Sequence, residues 1–244
     1  MNTHYTSESL SIVIPIFNEE EILESTTNKI VAICVKTKVE YEIILVENGS
    51  TDKTARIASN LSELNPNLMV INLTSPNYGN ALKEGFMKAK NELVVSFDID
   101  YFSESFLKEA LSLDKKFAGI TASKQMENSR DDRKFIRKIA TKLFVLILKT
   151  LFGTTLTDTH GMKAIRKEYI NNHIDKVVST QDLFDTELLL RIERSNQIIK
   201  ETPAEVNEIR PSVSLIYKRI PRTLLALVKL KFYFSREGLK TKSL

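Results

Sequence analysis

Two carboxylates separated by one residue, Asp98 and Asp100, follow a short apolar run in the segment VVSFDID. Alternate residues of an extended chain point to the same face, so we expect the two side chains to lie side by side, with Ile99 directed away from them. Two such carboxylates repel each other unless a cation lies between them. Hard oxygen ligands favour Mg²⁺ or Mn²⁺, and either ion can bridge the phosphates of a nucleotide. The pair therefore predicts a divalent metal site.

Three other segments mix turn-forming residues with carboxylates and amides, and each follows a run of apolar residues. They are residues 15–20 (PIFNEE), 47–52 (ENGSTD) and 77–80 (NYGN). Any one of them has a structural explanation, because Asn-Gly and Pro-Asn sequences form turns and Asp or Ser caps helices. Four polar loops that each end a buried strand predict instead a shared ligand site.

The segments between these loops predict the elements that position them. Short β-branched runs, typical of strands buried on both faces, alternate with stretches whose apolar residues recur at helical spacing. This order predicts a doubly wound α/β sheet that binds its ligand at the carboxyl ends of the strands. The predicted strands are 10–16, 41–46, 68–73, 93–97, 119–123, 162–165 and 198–201, and the predicted helices are 19–36, 51–64, 81–90, 103–113, 133–151, 182–195 and 221–236.

The composition is that of an ordinary globular protein. The chain has 244 residues, of which 42% are hydrophobic and 27% are charged, which excludes a disordered or low-complexity chain. The single cysteine, Cys34, excludes an internal disulfide and a cysteine-based zinc site. The sequence has no run of about 18 apolar residues, and its first ten residues have no apolar signal region, so we expect neither a spanning helix nor a signal peptide.

The net charge of +4 is unevenly distributed. Residues 124–149 carry +5 and residues 212–244 carry +7, which leaves −8 for the rest of the chain. Clustered positive charge predicts an anionic partner such as phosphates or a membrane surface, and two solvated helix faces are the alternative. Both segments combine basic with apolar residues, which is the pattern of a helix lying at a membrane interface. They lack a nucleic-acid-binding motif, so we expect no nucleic-acid partner.

Four motifs, in order and spacing, resemble a known enzyme family. SIVIPIFNEEE, EIILVENGSTDKT, NYGNALKEGF and VVSFDID are similar to motifs of the inverting GT-A-fold glycosyltransferases of the family 2 type. ITASK, DTHGMKAIRK and DTELLLR extend the resemblance, which is closest to dolichyl-phosphate mannose synthases and other polyprenyl-phosphate glycosyltransferases. The resemblance implies a GT-A (Rossmann-like) nucleotide-diphospho-sugar transferase fold: α/β, with a mainly parallel mixed sheet flanked by helices. We expect this domain in residues 1–212 and a basic amphipathic helix in residues 213–244.

The resemblance also implies roles for individual residues. Mg²⁺ or Mn²⁺ would be held by Asp98 and Asp100. The residues matching catalytic positions are Asp98, Asp100, Asp185 and Glu187. The donor nucleotide is expected at Pro15, Asn18, Glu19, Glu47, Gly49, Ser50, Asn77, Gly79 and Asp98. The acceptor and its phosphate are expected at Lys124, Arg133, Arg137, Asp158, Lys163 and Arg210.

Three positions depart from the family pattern. Glu47 stands where the family usually has an aspartate, Lys124 where it has an arginine, and Phe102 where mannose synthases often have a glutamine that binds the metal. Lysine keeps the charge of arginine but lacks its bidentate fork. His160, in the loop that also contains Asp158, either contacts a ligand or is an ordinary loop residue.

The expected reaction is the metal-dependent transfer of a hexose, with inversion, from a nucleotide sugar (GDP- or UDP-hexose) to a polyprenyl (dolichyl-type) phosphate. The metal would neutralise the leaving nucleoside diphosphate. An acceptor phosphate is already anionic at neutral pH, so it needs no strong general base. We expect a cytoplasmic protein, peripheral at the inner face of an anionic membrane, with a membrane-protein partner or a homo-oligomer as further expectations.

Two other functions stay open on the sequence alone. A glycosyltransferase acting on a sugar hydroxyl of a glycan or glycolipid would need a base, and Asp182, Asp185 or Glu187 would serve. A catalytically degenerate nucleotide-binding interaction protein is the other alternative, and the departures at Glu47, Lys124 and Phe102 are in line with it. Donor hydrolysis that needs the metal and both aspartates of the pair would argue against the interaction protein, and substitution of the candidate bases with assays of hydroxyl and phosphate acceptors would separate the two transferases.

Overall fold

The computed structural model describes residues 5–7, 9–131, 135–206 and 216–240, and it is built around a seven-stranded sheet flanked by helices. The strands are β1 (Ser9–Ile16), β2 (Glu40–Asn48), β3 (Leu68–Leu73), β4 (Leu93–Ser96), β5 (Phe117–Ser123), β6 (Arg130–Asp131), β7 (Lys163–Arg166), β8 (Ile198–Pro203) and β9 (Glu205–Val206). The helices are α1 (Leu23–Thr37), α2 (Thr54–Leu64), α3 (Tyr78–Lys88), α4 (Glu104–Leu111), α5 (Phe135–Phe152), α6 (Lys167–His173), α7 (Phe184–Arg194) and α8 (Ile216–Lys240).

The sheet is mixed but mainly parallel, as predicted. Its order is β3-β2-β1-β4-β7-β5-β8, and β6 pairs separately with β9. Strand β1 is parallel to β2 and β4, β2 is parallel to β3, and β5 is parallel to β8. Strand β7 is the exception, because it runs antiparallel to both β4 and β5. The predicted α/β fold with helices around such a sheet is confirmed.

The core lies on both faces of the sheet. Successive residues of β1 divide between the two faces: Ile12 and Ile14 belong to one apolar cluster and Val13 to the other. All three are fully buried, as continuous β-branched runs in parallel strands predict. Helix α4 covers one face through Phe106, and α7 covers the other through Phe184. Both faces of the sheet are therefore closed, and its carboxyl edge carries the polar loops.

The reversed direction of β7 brings another loop to that edge. The first residue of β7, Lys163, pairs with Ser96 at the end of β4 and with Thr121 near the end of β5. The start of an antiparallel strand meets the ends of its neighbours. Residues 157–162, which precede β7, therefore lie beside the loops that follow the parallel strands.

Helix α8 is part of the folded body. Its residues Leu227, Leu230 and Phe234 form an apolar cluster with Leu148 of α5 and Leu190 of α7. The predicted helix over 221–236 is thus found, with wider bounds. The predicted division at residue 212 falls in residues 207–215, outside the described residues, and it stays a prediction. None of the described helices is long and apolar enough to span a bilayer.

Two leucines of α8 test this packing. Leu227 is 0% exposed and Leu225 is 58% exposed. Replacing Leu227 with Ala is expected to lower the free energy of unfolding by about 2–5 kcal/mol, because it leaves a cavity in a closed cluster. Leu225→Ala is the matched control and should change that free energy by less than about 0.5 kcal/mol. Chemical denaturation measures both, and equal effects would contradict the packing of α8 on α5 and α7.

Candidate functional site

The loops after β1 and β2 are bonded to each other. Asn18 has a positive φ of 54°, and its side-chain Oδ1 accepts a hydrogen bond of 2.8 Å from the backbone N–H of Thr51. The backbone N–H of Asn18 donates to Oγ of Ser50 at 3.0 Å. The backbone N–H of Glu19 donates to Oγ1 of Thr54 at 2.7 Å. The two loops therefore form one polar surface, and the bonds between them involve three of the predicted donor-site residues, Asn18, Glu19 and Ser50.

Glu47 stabilises the loop after β2 through hydrogen bonds to the loop backbone. Its buried carboxylate accepts hydrogen bonds from the backbone N–H groups of Ser50, at 2.6 Å, and Gly49, at 3.2 Å. Gly49 has a φ of 76°, a conformation that favours glycine. Both oxygens of Glu47 are thus used to shape the loop. The predicted contact between Glu47 and a nucleotide stays a prediction.

The loop after β3 is fixed to its neighbours on two sides. The backbone N–H of Asn77 donates to Oδ1 of Asn48 at 2.8 Å, and the side chain of Asn77 caps α3 by accepting from the N–H of Asn80 at 3.1 Å. A Cβ on Gly79 would lie 2.4 and 2.5 Å from the carbonyl oxygens of residues 181 and 180. Glycine at this position therefore lets the segment before α7 approach the start of α3.

Asp98 and Asp100 lie in a tight turn directly after β4. The backbones of Asp98 and Tyr101 pair through two N–H···O bonds of 3.2 and 3.0 Å. Ile99 is buried in the core, whereas Asp100 is exposed and Asp98 is partly exposed. This is the alternation of side chains that the spacing of the two aspartates predicts.

Tyr78, the first residue of α3, contacts this pair and was missed as a site residue. Its hydroxyl donates a hydrogen bond of 2.8 Å to Oδ1 of Asp98. Burial and the charge of Asp98 raise the pKa of Tyr78 well above its usual value, so the hydroxyl remains a donor. Burial also raises the pKa of Asp98; the bond from Tyr78 and the ammonium of Lys163 oppose this rise, and the charges of Asp100 and Asp185 add to it. The available signal was the position of Tyr78 inside the NYGN loop.

A buried ion pair forms the next part of the site. Nζ of Lys163 donates to Oδ2 of Asp185 at 3.0 Å, and both side chains are almost completely buried. Oδ1 of Asp185 lies 3.4 Å from Nδ1 of His160. Burial alone would raise the pKa of Asp185, but Lys163 and His160 outweigh burial and hold this pKa well below the usual range. Asp185 is therefore an ionised and weakly basic carboxylate.

Two of the predicted acceptor-site residues bind each other. Nζ of Lys124 lies 2.6 Å from Oδ2 of Asp158, and both side chains are buried. The other oxygen of Asp158 accepts a hydrogen bond of 3.0 Å from the backbone N–H of His160. Burial raises the pKa of Asp158, but the charge of Lys124 and these bonds lower it further than burial raises it. The charge of Lys124 is thus balanced within the protein, and its predicted contact with a phosphate stays a prediction.

Glu187 is fully buried in α7 and makes structural contacts. Its carboxylate accepts hydrogen bonds from the backbone N–H groups of Val178, at 3.1 Å, and Ser179, at 2.7 Å. It also accepts a bond of 2.8 Å from Nε of Arg191, whose guanidinium reaches Glu237 of α8. This network joins the segment before α7 to α8. The predicted catalytic role of Glu187 is not supported by any contact in this network and stays a prediction.

The remaining predicted residues are scattered. Pro15 is buried near the end of β1, where it pairs with Val46 of β2. Arg137 is partly buried in the first turn of α5. Arg133 and Arg210 lie outside the described residues.

The aspartate pair fits a divalent cation. Asp100 raises the pKa of Asp98 by charge repulsion, and a dication bound between them would relieve that repulsion. Their carboxylate oxygens are the ligands that Mg²⁺ and Mn²⁺ prefer. In the part of the chain that the structure describes, no group of three His, Cys, Asp or Glu side chains is placed to hold a metal. Oxygens of a bound ligand or water would therefore complete the coordination sphere.

Fold and site together define a class of protein: an α/β protein with an acidic, metal-compatible site at the carboxyl edge of its sheet. A family model described as Glycosyl transferase family 2 matches residues 11–174. The chain belongs to this family, and the resemblance found in its motifs is confirmed.

The curated relatives are transferases by name. Two of them are the undecaprenyl-phosphate 4-deoxy-4-formamido-L-arabinose transferases of Proteus mirabilis (strain HI4320) and Pseudomonas fluorescens (strain SBW25). The first is 27% identical over 174 residues and the second is 30% identical over 171 residues. These matches cover 70% and 68% of this chain but only 53% and 49% of the relatives. The chain thus spans about half the length of the curated relatives it matches.

Solved structures confirm the GT-A fold. Glucosyl-3-phosphoglycerate synthase from Mycobacterium tuberculosis, in a complex with UDP, superposes with a TM-score of 0.68 at 19% sequence identity. The alignment covers 92% of this chain and 80% of the synthase. A second structure of that synthase, with Mn²⁺, UDP and glucosyl-3-phosphoglycerate, gives the same TM-score and coverage.

Substitutions in the aspartate turn test the metal site. Asp98→Asn and Asp100→Asn are each expected to weaken Mn²⁺ binding in the presence of UDP by more than tenfold, because each removes a charged ligand. Tyr78→Phe should weaken Mn²⁺ binding by about tenfold, because it removes the hydroxyl that orients the carboxylate of Asp98. Electron paramagnetic resonance of free Mn²⁺ measures the binding. Asp114→Asn, at an exposed aspartate paired with Lys116, is the control. Unchanged Mn²⁺ affinity in both site aspartate variants would contradict the assignment.

Proposed function

We propose that this chain transfers a sugar from a nucleoside diphosphate sugar to the phosphate of a polyprenyl phosphate, with inversion at the anomeric carbon. The observation that carries the proposal is the pairing of Asp185, whose carboxylate lies 3.0 Å from Nζ of Lys163 and 3.4 Å from Nδ1 of His160. A hydroxyl acceptor needs a base that removes its proton in the transition state. Lys163 and His160 hold the pKa of Asp185 so low that this carboxylate is a poor base. An acceptor phosphate arrives already ionised and needs none.

The two other candidate bases are also engaged. The carboxylate of Glu187 is bonded to Arg191 and to two backbone N–H groups. Asp182 is paired with the guanidinium of Arg222 in α8. These pairings favour a phosphate acceptor over a sugar hydroxyl, which is the alternative function that the sequence left open.

On the donor side, the joined loops after β1, β2 and β3 would bind the nucleotide. The synthase from Mycobacterium tuberculosis was crystallised with UDP and with Mn²⁺ or Mg²⁺, which supports a uridine nucleotide and a divalent metal for this chain. Asp98 and Asp100 would hold the metal. When bound, it supplies positive charge that stabilises the leaving nucleoside diphosphate.

The acceptor part of the proposal is supported by the curated relatives. Their names specify undecaprenyl phosphate, a polyprenyl phosphate, as the acceptor. They also specify a formamido-arabinose derivative as the sugar. The hexose and the dolichyl-type lipid expected from the sequence therefore stay predictions. A screen of UDP- and GDP-sugars by thermal shift with Mn²⁺ would identify the donor, because a ligand that binds the native state raises its stability.

In this mechanism the chain's own residues orient and shield the reactants. The hydrogen bond from Tyr78 to Oδ1 fixes the orientation of the Asp98 carboxylate. The position of the second oxygen, Oδ2, is fixed with it. Lys163 and Asp185 set a fixed field beside the aspartate turn, since the charges of both act on Asp98. An acceptor phosphate oxygen would attack the anomeric carbon from the side opposite the nucleoside diphosphate. The bond to the diphosphate breaks as the new bond forms, and the product sugar has the inverted configuration.

The lipid acceptor also requires access to a membrane, and α5 and α8 offer a matching surface. Five large apolar side chains of α5 are exposed: Phe135, Ile136, Ile139, Leu143 and Leu146. Helix α8 exposes Leu224, Leu225, Val228 and Phe232. Exposed basic residues accompany them, including Lys142, Lys149 and Lys229. We therefore propose that these helices dock peripherally on an anionic bilayer, where each basic residue contributes on the order of 1 kcal/mol.

A comparison of two acceptors tests the reaction. With the donor found in the screen, we expect transfer to a polyprenyl phosphate and none to the polyprenol of the same length, because only the phosphate is ionised. Mass spectrometry detects the product, and NMR of its anomeric proton determines the configuration. Transfer to the polyprenol alone, or a product with retained configuration, would contradict the proposal. Donor binding without metal-dependent turnover would favour the interaction-protein alternative instead.

Liposome co-sedimentation tests the membrane surface. The full chain should sediment with vesicles that contain 30% phosphatidylglycerol, a composition chosen for its negative charge, and binding should weaken as salt is raised. Leu143→Glu combined with Leu146→Glu should remove most of the binding, because two carboxylates would enter the apolar interface. Leu64→Glu, at an exposed leucine of α2, is the control. Equal sedimentation of the double variant and the wild type would contradict docking through α5.

A further inference from the structure

His160 lies where the acidic loop of the site meets α5. Its imidazole packs on the ring of Phe144, with 5.0 Å between the ring centroids and 34° between the ring planes. Phe144 lies one residue after the exposed Leu143 on the proposed membrane helix, and its own side chain packs against the apolar cluster of α5, α7 and α8. A lipid phosphate that reaches the site from a membrane on α5 would therefore pass this histidine.

The ring of His160 is oriented by its partners. Nδ1 lies 3.4 Å from Oδ1 of Asp185 and 3.4 Å from Oγ1 of Thr186. Because the two nitrogens lie on opposite sides of the ring, Nε2 points away from Asp185. None of the described residues forms a hydrogen bond with Nε2, and the side chain of His160 is 42% exposed. The orientation therefore leaves Nε2–H for a group outside the protein.

The charges around His160 favour its protonated form. Asp185 faces it from α7, Asp158 from its own loop and Lys163 from β7, while α5 contributes the uncharged ring of Phe144. Partial loss of hydration lowers the pKa of His160, but the charge of Asp185, its bond to the ring and the charge of Asp158 together outweigh this effect, so the pKa of His160 is above its usual value.

Among the described charged residues of this loop and its partners, His160 is the one cation without an aspartate of its own. Lys124 is balanced by Asp158 and Lys163 by Asp185, and all four side chains are buried. A protonated His160 adds one positive charge to this neutral group. It is the most exposed of the five side chains. Of these five side chains, His160 is therefore the one that an anion can reach from outside.

We propose that the imidazolium of His160 binds the phosphate of the lipid acceptor through Nε2–H, with Asp185 positioning the ring through Nδ1. This inference rests on the proposed function, and it names the residue that recognises the acceptor. Asp185 then acts as a positioning residue for His160. The two lysines predicted from the sequence, Lys124 and Lys163, are each balanced by a buried aspartate.

Titration calorimetry with farnesyl phosphate, a short prenyl monophosphate, tests this proposal on the full chain. His160→Ala and His160→Gln are each expected to weaken binding by on the order of tenfold or more, because a charge-assisted hydrogen bond is lost. Binding of UDP with Mn²⁺ should stay within twofold of the wild type. His173→Gln is the control, since His173 contacts Ser195 away from this loop. Thermal unfolding establishes that each variant is folded.

The pH dependence separates a charged contact from a structural one. Above pH 7 the phosphate stays a dianion, while the protonated fraction of His160 falls as the pH rises through its raised pKa. The ratio of wild-type affinity to His160→Gln affinity should therefore fall toward one as pH rises. If this affinity ratio equals one at pH 7, or does not change with pH, the role of His160 is overturned and the proposed function is left standing. If the wild type binds neither farnesyl phosphate nor a longer polyprenyl phosphate, the proposed acceptor is overturned as well.

Discussion

The buried ion pair between Lys163 and Asp185 is the interaction on which the rest of the site depends. Moving two charges out of water is costly, and removing one partner of such a pair typically destabilises a protein by about 3–5 kcal/mol. Here the cost is offset by a direct bond of 3.0 Å and by the second oxygen of Asp185, which faces His160. The pair also acts on the aspartate turn, since both charges shift the pKa of Asp98. One interaction therefore connects the aspartate turn to the loop that contains His160.

The antiparallel direction of β7 brings the two residues of this ion pair together. Lys163 begins a strand that runs against its two neighbours, so it enters the sheet at the edge where β4 and β5 end. Asp185 is in the first turn of α7, and the segment before this helix packs on Gly79 beside Tyr78. A parallel strand at the position of β7 would place Lys163 at the opposite edge. The single reversed strand is thus the structural reason that one site combines residues from both halves of the chain.

Much of the fold and part of the site could be predicted from the sequence. Continuous apolar runs identify strands because burial on both faces leaves a strong pattern, and Asp98 and Asp100 follow from spacing after such a run. Tyr78 was missed because its partner lies 20 residues away and depends on how α3 meets the turn. The pairing of Lys124 with Asp158 was missed for a similar reason, since it depends on the register of β5 and β7. Local patterns specify elements, whereas long-range pairings decide which charges remain available to a ligand.

The packing of α8 shows the same limit. Its basic and apolar composition predicts an interfacial helix, but periodicity does not reveal which apolar residues face the protein. In the structure Leu227, Leu230 and Phe234 are buried against α5 and α7, and a different set is exposed. The same helix can therefore stabilise the fold and present a surface. Glu237 of α8 is also bonded to Arg191, which places the helix in the network around Glu187.

The ionisation of Asp185 is the central claim, and NMR can measure it directly. Carboxyl-labelled aspartate would be introduced into the protein, and the Asp185 resonance would be assigned by its loss in Asp185→Asn. Between pH 7 and pH 4 that resonance should not titrate, because Lys163 and His160 keep the carboxylate ionised. A titration midpoint at or above the ordinary aspartate pKa of about 3.9 would contradict the account, since Asp185 would then be basic enough to serve a hydroxyl acceptor.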